Sequence, residues 1–315
     1  MKEIGGYFGL EELINNPYYK NMIEINTGRN ALIYLVKARN IERIYLPYYL
    51  CDSVSNVLDI NSIKYSFYNI DKNFMPIFEQ DLLENEFIYI VNYYGQITNN
   101  IIEILKEKYK NIIIDNTHAF FQEPIESVDT IYSCRKFFGV PDGAYLSTKS
   151  ILEEELETDV SNDRMCHILG RYEGKASDYY KVFQENDVGF KELKLKKMSR
   201  LTKNILGAID YEKVKNIRNE NYNYLHKKLG YKNKLKIKDT EASFAYPFYI
   251  ENGIVIRKEL AKKNIYIPTL WPNVLINNYE GSVEYDYTAN ILPLPCDQRY
   301  GIGDMDIVVE QLISL

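Results

Sequence analysis

Histidine, cysteine and tryptophan are scarce in this chain, which has three, four and one of them among 315 residues. No two cysteines form a Cys-x-x-Cys pair, and the histidines do not follow the spacing of metal ligands. The sequence therefore indicates neither a zinc site nor a disulfide framework, and we expect no metal. Four scattered cysteines are typical of a protein whose thiols stay reduced.

Long apolar runs and basic stretches are also missing. The apolar run at residues 87–91 is far shorter than the roughly 20 residues that span a bilayer, and the N-terminal segment lacks the apolar core of a secretory signal. The net charge is −6, and no basic stretch is long enough to bind nucleic acid. We therefore expect a cytoplasmic protein with small-molecule or protein partners, and neither a membrane nor a nucleic acid among them.

What the chain does contain is an alternation of short β-rich runs and helical patterns in its first half. This alternation favours an α/β fold with a mostly parallel sheet between two layers of helices. From about Ser150 the pattern changes to long, charged segments of helical period, followed after Gly230 by short strands and turns. We predict a large domain at residues 1–190 and a smaller α+β domain at residues 191–315.

Three chemically capable side chains lie at or soon after the ends of predicted strands. Asp115 ends the apolar run of "NIIIDNTHAFF", Tyr93 follows "FIYIV", and Lys136 follows "DTIYSC". Ligands of parallel sheets collect at the carboxyl ends of the strands. We therefore expect a ligand site at this edge of the sheet.

Lys136 stands between aromatic residues and the turn Gly-Val-Pro-Asp-Gly. A lysine amine forms a Schiff base with an aldehyde, and a buried or cation-rich setting increases its reactivity by lowering its pKa. Arg135 supplies such a cation. The alternative is an ordinary solvated lysine.

Burial of the Asp115 carboxylate at the end of an apolar strand is unfavourable in free energy unless the carboxylate binds a partner. The pyridinium nitrogen of pyridoxal phosphate is one such partner, because an aspartate there keeps the ring protonated as an electron sink. The alternative is a helix N-cap after the strand. His118, three residues on, is placed to reach the same ring, and its alternative role is that of a structural histidine.

The segment "TGRN" precedes a helical stretch and indicates an anion site. Thr27, Gly28, Arg29 and Asn30 would present free backbone N–H groups to a phosphate, and the hydroxyl of Ser133 would bind the same group. The alternative is an ordinary capped helix. We assign all five residues to cofactor binding.

Seven segments, in this order, resemble motifs of the pyridoxal-phosphate-dependent sugar aminotransferases of the DegT/StrS type, which have fold type I. The resemblance runs through nearly the whole chain. The segments are "TGRNAL", "IYLPYYLCDSV", "IVNYYGQ", "IDNTHAFF", "RKFFGVPDGAYL", "KKMSRLTKNIL" and "ILPLPCDQRY". The resemblance implies that Lys136 is the Schiff-base lysine, that Asp115 contacts the pyridine nitrogen and that His118 lies beside the ring.

The chain departs from the motifs of this family at three places. The family's Gly-Glu-Gly-Gly is Pro-Asp-Gly-Ala at residues 141–144, and Cys51, which we assign to cofactor binding, stands where an aromatic residue is frequent. Lys196 and Lys197 precede Met198 where Asn-x-Arg is usual. In the family that Asn-x-Arg contacts the cofactor from a second subunit, so these lysines make the expected cross-subunit contact doubtful.

The resemblance implies an aminotransferase that moves an amino group from glutamate to a nucleotide-linked keto-sugar, in surface polysaccharide or deoxysugar biosynthesis. It also implies a homodimer. Two alternatives remain: an enzyme acting on another small keto substrate, including by dehydration, and a non-catalytic member that serves as a binding subunit. Family members that dehydrate carry histidine in place of the lysine, so Lys136 argues against dehydration.

Four residues are assigned to substrate binding: Tyr93, Tyr94, Trp271 and Arg299. Trp271 offers an aromatic wall, and Arg299 offers a fork of donors suited to a carboxylate or a phosphate. The alternative for Arg299 is a surface arginine paired with Asp297 or Asp304.

Overall fold

A central eight-stranded sheet organises the first half of the protein, in a computed structural model that describes residues 4–314. Its strands are β1 (Ile23–Ile25), β2 (Arg43–Pro47), β3 (Lys64–Ile70), β4 (Pro76–Ile77), β5 (Glu86–Val91), β6 (Ile112–Asp115), β7 (Asp129–Ser133) and β8 (Ala144–Ser147). The order across the sheet is β1-β8-β7-β6-β5-β2-β3-β4. Strands β3, β2, β5, β6 and β7 are parallel, and the pairs β1–β8, β7–β8 and β3–β4 are antiparallel.

The central strands form because their sequences are short apolar runs that suit burial on both faces. In β5 five of six residues are buried, and in β6 all four are buried. The helices α1 (Gly28–Ala38), α2 (Asp52–Ile60) and α3 (Asn99–Tyr109) connect the strands. Each presents an apolar stripe to the core, which for α1 includes Ala31, Leu32 and Leu35. The predicted α/β alternation is therefore present.

Residues 151–161 contain no helix, although the sequence predicted a helical segment that begins there. The N–H of Asp159 donates to the carbonyl of Lys197, and the N–H of Lys197 donates to the carbonyl of Glu157. This extended pairing with a distant segment outweighs the local helical pattern, since propensity is a weak determinant once tertiary contacts compete. The helices that follow are α4 (Cys166–Glu173), α5 (Tyr180–Gly189), α6 (Arg200–Gly207) and α7 (Tyr211–Leu229).

The C-terminal part combines a two-stranded sheet with helices, as the α+β pattern predicted. Strand β9 (Tyr246–Tyr249) pairs antiparallel with β10 (Ile291–Leu294). The helices are α8 (Gly253–Lys262), α9 (Pro272–Asn277), α10 (Val283–Asn290) and α11 (Ile302–Ile313). Phe248, Leu260, Leu292 and Val309 share a buried cluster there. Across residues 4–314, no helix has both the length and the apolar character that crossing a membrane requires.

Candidate active site

Lys136 lies in a short 3₁₀ turn, Cys134–Lys136, that directly follows β7. The side chain of Lys136 is exposed to solvent, but protein atoms surround its amine on most sides. This combination is typical of a residue in a cleft. Desolvation lowers the pKa of its amine, and the neighbouring charge of Arg135 acts in the same direction. A lysine with a lowered pKa holds more of its amine in the neutral, nucleophilic form.

Asp115 is the last residue of β6, in the strand next to β7, and it is 6% exposed. Its Oδ1 accepts a hydrogen bond from the backbone N–H of Thr117 at 2.9 Å. Desolvation raises the pKa of this carboxyl, while hydrogen bonds from Thr117 and Tyr89 and the charge of Lys136 oppose the rise. Such a buried carboxylate gains from a cationic partner.

His118 is buried in an aromatic stack. Its ring lies 4.5 Å from that of Phe244, centroid to centroid, at an interplanar angle of 8°, and 5.9 Å from that of Trp271 at 16°. Desolvation, together with the charge of Lys136, lowers the pKa of His118 to about 3, so the imidazole is neutral at ordinary pH. Its Nδ1 finds no hydrogen-bond partner within residues 4–314.

Tyr93, Tyr94 and Trp271 join His118 in one aromatic wall. The ring of Tyr94 lies 5.5 Å from that of His118, and the ring of Tyr93 lies 6.1 Å from that of Trp271. The hydroxyl of Tyr93 donates to the carbonyl of Tyr49 at 2.5 Å. Tyr93 and Tyr94 are thus brought together with the distant Trp271, and all three are residues that we assigned to substrate binding.

Two residues of the site were not predicted from the sequence: Phe244, which stacks on His118, and Tyr49, whose ring packs at 5.1 Å against Trp271. The ring of Phe244 also lies 5.8 Å from the Nζ of Lys136. Nothing in the local sequence of Phe244 marks it, because its neighbours there read as an ordinary strand. Tyr49 was visible only as part of the segment "IYLPYYLCDSV".

The N-terminus of α1 lies against Ser133, as expected for residues that share one ligand. A Cβ on Gly28 would stand 3.8 Å from the Cβ of Ser133. The hydroxyl of Thr27 caps the helix by accepting from the N–H of Asn30 at 3.1 Å. The side-chain amide of Asn30 donates to the carbonyls of residues 193–194. The side chains of Thr27 and Asn30 and the backbone N–H of Asn30 are therefore engaged within the protein, which leaves the backbone N–H groups of Gly28 and Arg29 to face a ligand.

Cys51 occupies the N-cap position of α2 and is partly buried. Desolvation lowers the pKa of Lys136, and the charge of a thiolate at Cys51 would oppose that shift, so Cys51 lies within electrostatic range of the lysine. The structure thus places Cys51 near the lysine, at the position where the related motif has an aromatic residue.

Arg299 points its fork at Asp297. Its Nε and Nη2 donate to the two carboxylate oxygens at 2.6 and 2.8 Å, and its side chain is 52% exposed. This geometry is the surface pairing that we gave as the alternative. The neighbouring Gln298, by contrast, donates to the carbonyl of Phe137 at 2.7 Å and joins this loop to the segment that follows Lys136.

The turn after Lys136 anchors helix α6. The carboxylate of Asp142 accepts from the N–H and the hydroxyl of Ser199 at 3.0 and 2.8 Å, and also from the hydroxyl of Thr202. Gly143 has φ +110°, a conformation that other residues rarely adopt, and a Cβ there would lie 2.9 Å from Thr202. The departure Pro-Asp-Gly-Ala thus has a structural role: it fixes the N-terminus of a helix.

Comparison with solved structures reveals the same fold in several proteins, an aminotransferase among them. A DegT DnrJ EryC1 StrS aminotransferase from Brucella abortus matches 94% of this chain and 86% of its own, with 13% identity and a TM-score of 0.61. NtdA from Bacillus subtilis, solved with bound cofactor PMP, matches 94% and 73%, with 15% identity and a TM-score of 0.64. DesI, solved in the presence of its TDP-sugar product, matches 93% and 80%, with 12% identity and a TM-score of 0.63.

These likenesses establish the fold, and the predicted fold-type-I α/β architecture is confirmed. No protein-family model matches the chain, and no curated protein sequence matches it. What the site does therefore has to be argued from its own residues.

Proposed function

We propose that this protein is a pyridoxal-phosphate-dependent aminotransferase that passes an amino group from glutamate to a nucleotide-linked keto-sugar. One observation carries the proposal: the fold brings Lys136, Asp115 and His118 to the carboxyl ends of the adjacent strands β6 and β7, where His118 and Lys136 both lie against the ring of Phe244. The sugar class rests on the resemblance of the sequence motifs and on the neighbours with this fold, among them one solved with a TDP-sugar product.

The residues present fit the cofactor. A buried carboxylate that lacks a full cationic partner suits a protonated pyridine nitrogen, and the unpartnered Nδ1 of His118 suits a polar substituent of a ring. Lys136, accessible and with a lowered pKa, suits an aldehyde. When bound, pyridoxal phosphate supplies an electron sink for charge that develops at the donor's α-carbon.

The chain's own residues would then divide the work. Lys136 would hold the aldehyde of the cofactor through its Nζ, and as a free amine it would accept the proton that leaves the donor's α-carbon and return that proton to the cofactor. Asp115 holds the proton on the ring nitrogen. Neutral His118 would pack beside the ring of the cofactor, and the wall of Tyr93, Tyr94 and Trp271 would shield that ring from water. Ser133 and the backbone N–H groups at Gly28 and Arg29 bind the phosphate.

A cytoplasmic homodimer belongs to the same proposal, as does a role in surface polysaccharide or deoxysugar biosynthesis. The motif resemblance supports both. Sedimentation velocity tests the dimer, and a monomer at working concentration would contradict it.

The test of the function is chemical trapping. The protein is incubated with pyridoxal phosphate, reduced with borohydride and mapped by mass spectrometry, and we expect the pyridoxyl label on Lys136. Incubation with glutamate should then yield 2-oxoglutarate in the wild type and not in Lys136→Ala. Lys203, which pairs with Glu24 at 2.6 Å on the surface, provides the control variant Lys203→Ala. A label on another lysine, or none, would refute the proposal.

A further inference from the structure

Three arginines from separate parts of the chain lie near enough for their charges to interact, and one of them directly precedes Lys136. Arg29 is in the first turn of α1, Arg135 precedes Lys136, and Arg164 lies just before α4. The guanidinium carbon of Arg135 lies 3.6 Å from the ring centroid of Phe190, and that of Arg164 lies 5.7 Å from it. Since Phe190 is fully buried, the two guanidinium groups flank one interior ring.

The positive charge of this arginine cluster is only partly compensated. Arg164 pairs with Asp159 at 2.8 Å. Within residues 4–314, however, the side chains of Arg29 and Arg135 form no salt bridge and no hydrogen bond. Desolvation lowers the pKa of Arg135 to about 10, with Arg29 and Arg164 acting in the same direction and Asp187 opposing them. Cations brought together away from water are unfavourable unless an anion joins them.

The position of the cluster identifies the kind of anion. Arg29 shares its helical turn with the free N–H groups of α1, and Arg135 is two residues from Ser133, which lies against Gly28. A helix N-terminus and a hydroxyl therefore lie together, with the unpaired Arg29 in the same helical turn and the unpaired Arg135 between the hydroxyl and the lysine in sequence. Guanidinium groups bind phosphate oxygens through two parallel hydrogen bonds.

Lys196 and Lys197 stand at the position from which a second subunit is expected to supply a cation to the cofactor. Lys196 pairs with Glu157 at 3.1 Å. The backbone of Lys197 pairs with residues 157 and 159. The side chain of Lys196 and the backbone of Lys197 are thus engaged within their own subunit. Near the N-terminus of α1, Arg29 and Arg135 are cations that make no salt bridge within residues 4–314.

We propose that Arg29 and Arg135 bind the phosphate group of pyridoxal phosphate from within the same subunit, with Arg164 adding long-range positive charge. This inference rests on the proposed function and adds to it: the phosphate site is complete in one chain and takes its cations from the α1 turn and from the residue before the lysine.

The experiment compares pyridoxal phosphate with pyridoxal, which lacks the phosphate. Dissociation constants are measured by absorbance titration for the wild type, Arg29→Gln and Arg135→Gln. We expect each variant to bind pyridoxal phosphate about tenfold or more weakly, as for the loss of a charged hydrogen bond. Binding of pyridoxal should change by less than about twofold. Arg171→Gln, an exposed arginine of α4, is the control and should leave both constants unchanged.

Each other outcome would count against the inference. Equal losses for both ligands, or no loss for pyridoxal phosphate, would overturn it while leaving the proposed function intact. Weakened binding of uridine diphosphate with pyridoxal phosphate unaffected would also overturn it, by assigning the cluster to the substrate. If the wild type binds neither pyridoxal compound, the proposed function fails together with the inference. If Arg135→Gln does not fold, Arg135→Lys and Arg29→Gln are titrated instead. Lys keeps the charge and loses only the two parallel hydrogen bonds of the guanidinium, so Arg135→Lys should still bind pyridoxal phosphate more weakly than the wild type.

Discussion

Asp115 and Asp129 are buried aspartates on adjacent strands, and the difference between them lies in their partners. Asp129, at the start of β7, accepts from Arg39 and from the hydroxyl of Thr148, both at 2.6 Å. Asp115 lies at the carboxyl end of the neighbouring strand β6, and it has no arginine or lysine within salt-bridge distance in the described part of the chain. Asp129 is therefore satisfied by the protein itself, whereas Asp115 is available to a ligand.

Replacing these two aspartates should have opposite effects. Asp115→Asn keeps the shape but removes the charge, so we expect the rate of amino transfer to fall by roughly 100-fold or more. Its thermal stability should be unchanged or higher, because a buried charge has been removed. Asp129→Asn should lower the free energy of unfolding by about 1–3 kcal/mol and leave the rate nearly unchanged. Steady-state kinetics and thermal unfolding of both variants provide the check, and near-normal turnover in Asp115→Asn would exclude the ring-nitrogen role.

At the scale of elements, the turn at residues 141–144 links the site to helix α6. Asp142 is fully buried and accepts from Ser199 and Thr202 at the start of that helix. The helix could not begin there with its first N–H groups buried unless an acceptor met them. The turn that follows Lys136 is thereby fixed in position by a helix more than fifty residues later in the sequence.

Asp142→Asn should therefore weaken α6 more than loss of an ordinary cap would. An amide offers one acceptor oxygen where three donors converge, so we expect a loss of about 2–3 kcal/mol in the free energy of unfolding. The control is Asp210→Ala, which removes the exposed cap of α7, where Asp210 accepts from the N–H of Lys213 at 3.0 Å. That change should cost about 1 kcal/mol. Chemical denaturation measures both, and equal losses would contradict the role assigned to Asp142.

At the scale of the whole molecule, Arg218 connects the C-terminal part to the segment after the lysine. It is 1% exposed. Its guanidinium donates to Gln298 and to the carbonyl of Ser243, both at 2.9 Å, and lies 4.4 Å from the ring of Phe137. Gln298 in turn donates to the carbonyl of Phe137. One buried cation thus holds together three segments that are far apart in the sequence.

We expect Arg218→Met to lower the free energy of unfolding by about 3 kcal/mol, because it leaves buried acceptors unpaired. It should also weaken cofactor binding, since Phe137 is adjacent to Lys136. Arg299→Met is the matched control from the neighbouring loop: its guanidinium is half exposed, so its pair with Asp297 should contribute less than about 1 kcal/mol. Denaturation and cofactor titration test both, and a smaller effect at Arg218 than at Arg299 would refute this role.

Much of the large sheet and most of the central site could be read from the sequence, for a local reason. Strands such as β5 and β6 are short apolar runs, and the candidate site residues lie at or just after the ends of such strands. Their positions in the sequence therefore predicted which edge of the sheet they occupy. Asp115, His118 and Lys136 needed only that alternation of strands and helices to be placed at one edge of the sheet.

Only the tertiary structure decided the remaining features, because each depends on segments that meet after folding. The extended path of residues 151–161 is set by pairing with Lys197, against the local helical pattern. Phe244 stacks on His118 across more than a hundred residues of sequence, and Arg135 and Arg164 flank Phe190 from different segments. The sequence left two roles open for Arg299, substrate binding or a surface pair with an aspartate. The pair with Asp297 became visible only from the side-chain geometry. Composition and period carry no information about such contacts, since these depend on the distances between side chains that folding alone brings together.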